Sequence, residues 1–316
     1  MKINVRMLTA AVCILLSLAA YFLLNDKKGD GYDGDKSDSS IGLFDRTGSD
    51  NSDYSNPTAT EGKPNSNRND APRRTMEMPA PVKGKNEMLM TRQGYYVSYN
   101  KDTKVPNWVA WHLTAAHTKG NNYRDGMMFE EDYDVPSPRA TDYDYSHSKY
   151  DRGHMCPSGD NKWDKNAQRQ SFLLTNVCPQ NHALNKGDWN DLEIQCREWA
   201  KSMGDVYIVA GPIFYDGVKK TIGRNKVAVP DAFFKVVMHD GRKSKAIGFI
   251  YPNSGEHKSM AEYVKSVDEV ERITGFDFFP MLDDEVENRI EAAEKNTTVK
   301  EWGVGKNTGN RYNTSY

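Results

Sequence analysis

The sequence predicts an α+β fold with a largely antiparallel central sheet, on three observations. Short apolar runs of strand length recur between clusters of Gly, Pro, Asn and Asp. The spacers between most of them are too short for helical crossovers, which favours antiparallel pairing. One segment, from Trp189 to Met203, switches to a helical period.

The 316 residues divide unevenly. Lys2 and Arg6 precede an apolar run from Met7 to Leu24 broken only by Thr9 and Ser17, which reads as a signal peptide or an N-terminal membrane anchor over 1–24. Ser17-Leu18-Ala19 offers a small-x-small cleavage site. Cleavage there would strand the apolar stub Tyr21 to Leu24, which tips the reading toward an uncleaved anchor. The basic N-terminus, set against the Asp-rich stretch beyond Leu24, places the bulk of the chain outside the membrane. The expected location is therefore exported: periplasmic, membrane-anchored or secreted. Residues 25–85 consist of Asp, Ser, Asn, Gly, Lys, Pro and Thr with almost no aliphatic residue, so this stretch is expected to be a disordered linker. One globular domain, 86–302, remains, followed by a loose tail over 303–316.

Within the domain, Tyr95 to Tyr99 and Asn107 to Leu113 read as strands, and Asp142 to Ser148 as a polar loop leading into Asp151. Ser171 to Val177 reads as a short central strand. Val206 to Ala210, Ala232 to Met238 and Ala246 to Tyr251 complete a sheet of five or more strands. Trp189, Leu192, Cys196, Trp199, Ala200 and Met203 form a core-facing helical stripe. Ser266-Val267-Asp268-Glu269 is a capping box opening a helix that closes at Gly275. A net charge of -2 gives no electrostatic footprint for or against a nucleic-acid partner.

The chemistry-bearing residues are concentrated in two segments, Tyr150 to Pro157 and Thr175 to Glu193. Phosphodiester hydrolysis needs an activated water, a cation for the phosphoryl oxygens and leaving group, and fixed donors for developing charge. His154 offers a base; alone, it would read better as a structural histidine. Gly153 before it allows a close backbone approach, and Asp151 and Arg152 flank it. Asn185 offers a hard carbonyl ligand, or else a helix N-cap. On a single helix it falls in line with Cys196 and Met203, on the inward stripe. Glu193 then lies eight residues on, about 12 Å along the axis, too far to share a first coordination shell with Asn185. It would act through metal-bound water. Arg197 either clamps a phosphate or forms an i,i+4 ion pair with Glu193. One protein ligand suits magnesium, which keeps its waters, better than zinc.

The segments DRGHMCPSGDNKW (151 to 163), FLLTNVCPQNHALNKGDWNDLE (172 to 193), GDVYIVAGPIF (204 to 214) and VDEVERITGFDFFPML (267 to 282) resemble the DNA/RNA non-specific endonuclease family, over nearly the whole domain. The resemblance implies the ββα-metal (His-Me finger) fold and a Mg2+-dependent endonuclease, with Mn2+ as a substitute, acting on DNA and RNA with little sequence preference. It implies His154 as general base, Asn185 as metal ligand, Glu193 as organiser of the metal's waters and Arg197 at the phosphate. Arg152 belongs to the motif and shapes the site. An upstream arginine completes it, Arg124 by spacing, with Arg139 as the competitor. Family members are often dimers, so a homodimer is allowed. Cys156 and Cys178, beside the two active-site segments, either form a disulfide or stay as buried thiols. Two other function classes remain open: a catalytically silent nucleic-acid binder, and a hydrolase of another phosphodiester.

Overall fold

The computed structural model describes residues 74–305. The expected signal or anchor segment, most of the linker and the end of the tail lie outside the described residues.

Eleven strands and seven helices lie in this region. The strands are β1 (Met88–Thr91), β2 (Tyr96–Asn100), β3 (Val105–Thr114), β4 (Asp151–His154), β5 (Val177–Gln180), β6 (Asp205–Ile213), β7 (Thr221–Ile222), β8 (Val227–Ala228), β9 (Ala232–His239), β10 (Lys245–Pro252) and β11 (Val264–Lys265). The helices are α1 (Asp142–Tyr145), α2 (Lys165–Gln170), α3 (His182–Lys186), α4 (Asp188–Met203), α5 (Val267–Thr274), α6 (Asp284–Glu291) and α7 (Lys295–Trp302). Seven strands form one antiparallel sheet in the order β1-β2-β3-β6-β9-β10-β11. Two separate hairpins, β4-β5 and β7-β8, stand beside it. The expected α+β class and antiparallel sheet are observed.

The sheet is covered on both faces, which explains why its strands read as nearly continuous apolar runs. Val109, Trp111, Ile208, Ala210, Phe233, Val237, Phe249 and Tyr251 point to one core, shared with the α4 stripe of Trp189, Leu192, Cys196, Trp199 and Ala200. Their neighbours Trp108, Ala110, Val209, Phe234, Val236 and Met238 point to a second core, closed by Val267, Val270, Phe276, Phe278 and Ile290. The period-two alternation thus assigns every strand residue to one side. The β4-β5 hairpin and α4 belong to the first core; α5 and α6 belong to the second.

Three expectations change. The linker does not run to residue 85: Met78 is fully buried in the second core, with Met76 and Val82 packed beside it, and the Ala80 amide donates to the Asp277 carbonyl. Two methionines spaced in a polar stretch suffice to dock it. Ser171 to Val177 is not a central strand. A 3-10 turn covers Leu174–Asn176, and only Val177 enters β5. The cause is Asn176, whose buried side chain accepts from the Cys156 amide and donates to the Cys156 and Ser171 carbonyls. These bonds turn the chain where its apolar content alone suggests extension. Asp142 to Tyr145 is a short helix rather than loop, its start held by Asp144 Oδ2, which accepts from the Thr141 amide and hydroxyl.

Candidate active site

His154 closes β4, whose register with β5 sets Gly153 opposite Cys178 and His154 opposite Val177. Gly153 is required here by close approach. A Cβ at this position would lie 2.2 Å from Gln180 Oε1 and 2.6 Å from its Cβ. The His154 carbonyl accepts from Trp189 Nε1 at 3.2 Å, which ties the strand end to α4. The imidazole sits between Phe129 and Phe172, each ring centroid 5.0 Å away. Its Nε2 is enclosed and has no hydrogen-bond partner. Nδ1 is not enclosed in that way, so it is the nitrogen that solvent reaches. Loss of water in this apolar cleft, reinforced by the positive charge of Arg124, lowers the pKa of His154 to about 3. The ring is neutral at any physiological pH.

Asn185 does not open the long helix. It lies on α3, which Gly187 separates from α4 with a backbone at φ -104°, ψ -111°. The single-helix ruler of about 12 Å to Glu193 therefore does not apply. Nor is Asn185 an N-cap. Asn181 caps α3, accepting from the Ala183 and Leu184 amides, and Gly187 precedes α4. Instead Asn185 Nδ2 donates to Asp151 Oδ2 at 2.9 Å. Asp151, which also accepts from His182 Nδ1 at 3.0 Å, fixes the amide with its nitrogen turned to the carboxylate. The carbonyl oxygen is left over.

Glu193, on α4, makes no hydrogen bond with any described residue. Desolvation, partly offset by the positive charges of Lys235, Arg197 and Arg124, raises its pKa to about 7. The alternative of an i,i+4 ion pair with Arg197 is not observed. Arg197 Nη1 binds Asp160 Oδ1 at 2.9 Å, and the second oxygen of this buried carboxylate accepts from Trp111 Nε1 at 3.0 Å. Arg197 is thereby locked in place, with 18% of its side chain exposed.

The upstream arginines separate cleanly. Arg139 is consumed structurally, donating to Glu131 and the Val135 carbonyl and lying over Tyr133. Arg124 is exposed, lies over Phe172 at 6.0 Å, and its charge bears on both His154 and Glu193. Arg152 is tied away: Nε lies 2.6 Å from Asp142 Oδ1, an ion pair outside hydrogen-bond alignment, and Nη2 donates to the Asp142 carbonyl. It braces β4 against α1 and lies over Phe129, 5.8 Å from the ring centroid, on the same face of β4 as His154. Cys156, Cys178 and Cys196 are all buried free thiols, so no disulfide joins the two segments.

A neutral histidine, an amide oxygen and an unpartnered carboxylate suit a hard divalent cation that keeps most of its water. The donor set lacks the three or four nitrogen and sulfur ligands that zinc takes.

The family model described as DNA/RNA non-specific endonuclease matches residues 71–285, more than half of the chain. The chain belongs to this family. Among similar proteins, Nuclease EXOG, mitochondrial, from Xenopus laevis is 37% identical over 203 residues, covering 59% of this chain and 57% of its own. Nuclease C1 from Cunninghamella echinulata var. echinulata is 38% identical over 62% of this chain and 84% of its own. Endonuclease G, mitochondrial, from Homo sapiens is 34% identical over 61% and 70%. The chain spans less than two thirds of the EXOG proteins it matches. A solved structure of the EndoG/EndoGI complex superposes with a TM-score of 0.58 at 29% identity, covering 62% of this chain and 86% of that one.

Two further residues act on these candidate groups. Asp160 anchors Arg197 and lies in the DRGHMCPSGDNKW segment without any sequence signal for that role. Lys235 is fully buried on β9, where alternation with Phe233 and Val237 turns it to the α4 side. Its Nζ has no hydrogen-bond partner and lies 4.2 Å from the Trp189 ring centroid and 5.7 Å from that of Trp111. A lone lysine inside the apolar run AFFKVVM was the available signal.

Proposed function

We propose that this chain is a divalent-metal-dependent endonuclease that hydrolyses phosphodiester bonds of DNA and RNA with little sequence preference. The observation that carries it is the triad of unspent groups: His154 neutral with an open Nδ1, Asn185 with its oxygen released by Asp151, and Glu193 without a partner.

His154 Nδ1 takes the proton of the attacking water as its oxygen closes on phosphorus. The cleft keeps the imidazole unprotonated at rest, so the base is available without waiting for deprotonation. An arriving phosphodiester anion rests against Arg124 and opposes one cause of the low basicity, which moves the ring toward the range where it holds a proton. Arg197, immobilised by Asp160, donates to the phosphoryl oxygens, and its fixed position removes the cost of orienting it during reaction. Asn185 would hold magnesium, with manganese as a substitute, and Glu193 would orient its waters. The ion supplies charge compensation for the phosphoryl and leaving oxygens. These groups address phosphate and water, not base edges, which supports weak sequence preference.

The basic start and apolar run to Leu24 support an exported or organelle-targeted protein held at a membrane. The test of the activity is a panel of plasmid DNA, single-stranded DNA and RNA incubated with and without chelator. Cleavage of all three, abolished by chelator and restored by magnesium, is expected. Metal-independent cleavage, or binding without cleavage in magnesium, overturns the reading.

A further inference from the structure

On the face of the sheet opposite His154, helices α5 and α6 bring acidic side chains together without any cation. Asp268 and Glu271, three residues apart on α5, present carboxylates to Glu291 on α6, and one oxygen from each lies within 4.8 Å of the other two. Glu287 stands one turn before Glu291 on the same helix. The cluster is not a solvated acidic surface, because Glu291 is only 6% exposed. Its Oε1 is enclosed and lacks any hydrogen-bond partner, and so is that of Glu287. No described Lys, Arg or His forms a salt bridge with any of the four. The one donor is the Phe278 amide, which reaches Glu271 Oε1 at 2.7 Å.

A buried carboxylate with no donor and only like charges around it is costly unless something neutralises it. Desolvation and the charges of Glu271, Glu287, Asp268 and Asp277 raise Glu291 to about 9, and Glu271 rises to about 7. Protons can serve in place of a cation, at the cost of leaving oxygens unpaired. A cation would use them.

We propose that Asp268, Glu271 and Glu291, with Glu287 beside them, form a calcium site that clamps α6 onto α5. The all-oxygen, all-carboxylate donor set selects a hard cation over zinc or copper. Coordination habit then discriminates. Calcium accepts several carboxylates in flexible geometry at about 2.3–2.6 Å, which suits oxygens supplied from two helices within 4.8 Å of one another. Magnesium demands near-octahedral geometry at about 2.0–2.1 Å and keeps several waters, so it is seldom caged by protein carboxylates alone. Asp268 is exposed, giving the ion a way in, while Glu291 forms the floor. Val267, Val270 and Ile290, next to these carboxylates in sequence, tie α5 and α6 to the second core, so the ion would act on stability and not on the nuclease chemistry.

The test is thermal unfolding of the full chain, stripped with chelator, against calcium and magnesium. The nuclease site could bind calcium too, so the Asn185→Ala variant is measured in parallel. Calcium at about a hundredfold excess over its Kd should raise Tm by about 5 to 10 °C in both the wild type and Asn185→Ala. Magnesium at the same level should give Asn185→Ala less than a third of that shift. Glu291→Gln should lose the calcium shift while cleaving DNA in magnesium within twofold of wild type. Should Glu291→Gln fail to fold, the exposed Asp268→Asn should cut the calcium shift at least twofold. A full calcium shift in either carboxylate variant, or none in Asn185→Ala, overturns the proposal and leaves the cluster as a proton-sharing carboxyl group.

Discussion

Arg197 and Asp160 offer a test that separates holding the fold from touching the substrate. Arg197→Ala leaves Asp160, 2% exposed, as a buried carboxylate whose remaining donor is Trp111. Breaking one half of a buried pair costs about 3–5 kcal/mol. The arginine retains 18% side-chain exposure, so the lower part of that range applies. At about 2–4 °C per kcal/mol for a domain of this size, Tm should fall by roughly 6 to 15 °C. Asp160→Asn should cost a similar amount, since it strands the guanidinium. The double variant Arg197→Met with Asp160→Asn removes both charges and keeps an amide oxygen for Trp111, so it should recover to within about 2 kcal/mol of wild type. Nicking should not recover. With the phosphate donor gone, the rate should stay roughly 100-fold or more below wild type, the usual loss for one such group. Calorimetry and supercoiled-plasmid nicking on the four proteins measure both quantities. Additive stability losses, or a double variant that regains cleavage with its fold, would refute the anchored clamp.

Other outcomes follow from the same geometry. In metal-free protein His154, its pKa lowered to about 3, loses stability as pH falls from its ordinary 6.5, because the unfolded chain takes up the proton first. Glu193, raised to about 7, loses stability as pH rises from 4.5, because the folded chain keeps its proton longer. The two slopes oppose between about pH 4.5 and 6.5, so His154→Ala should fall in stability with rising pH more steeply than wild type there; parallel curves would contradict both assignments. Lys235→Met removes the largest positive influence on Glu193 and an unsatisfied buried ammonium. It should lower kcat about tenfold near pH 7 with little change in KM, and leave Tm equal or higher; a lower Tm with unchanged kcat would make Lys235 a packing residue only. Gly153→Ala drives a Cβ into Gln180 and should cost about 1–3 kcal/mol on chemical denaturation, together with activity, since the strand that carries His154 must move.

The long strands were legible because both faces of the sheet are covered, which writes each as an apolar run, and α4 because its stripe repeats at helical spacing. His154, Asn185, Glu193 and Arg197 stood out through their neighbours in sequence, and β4, α3 and α4 do bring them to one region. What local pattern could not show was the partner of each. Arg197 turns to Asp160, some forty residues earlier, and not to Glu193 one turn away. Asn185, on α3, is oriented by Asp151 of β4, and Gly187, a residue any turn could hold, breaks the helix that seemed to join Asn185 to Glu193. Lys235 was missed although its place inside an apolar run marked it, and the α5-α6 carboxylates carried no such mark: acids on amphipathic helices look ordinary until burial removes their water.

The central claim is that His154 is the base, and the most direct measurement is supercoiled-plasmid nicking by His154→Ala in magnesium, on protein whose circular dichroism and Tm match wild type. A rate at least 100-fold lower is expected, within the range that general-base catalysis contributes. A variant that nicks within tenfold of wild type would contradict the account.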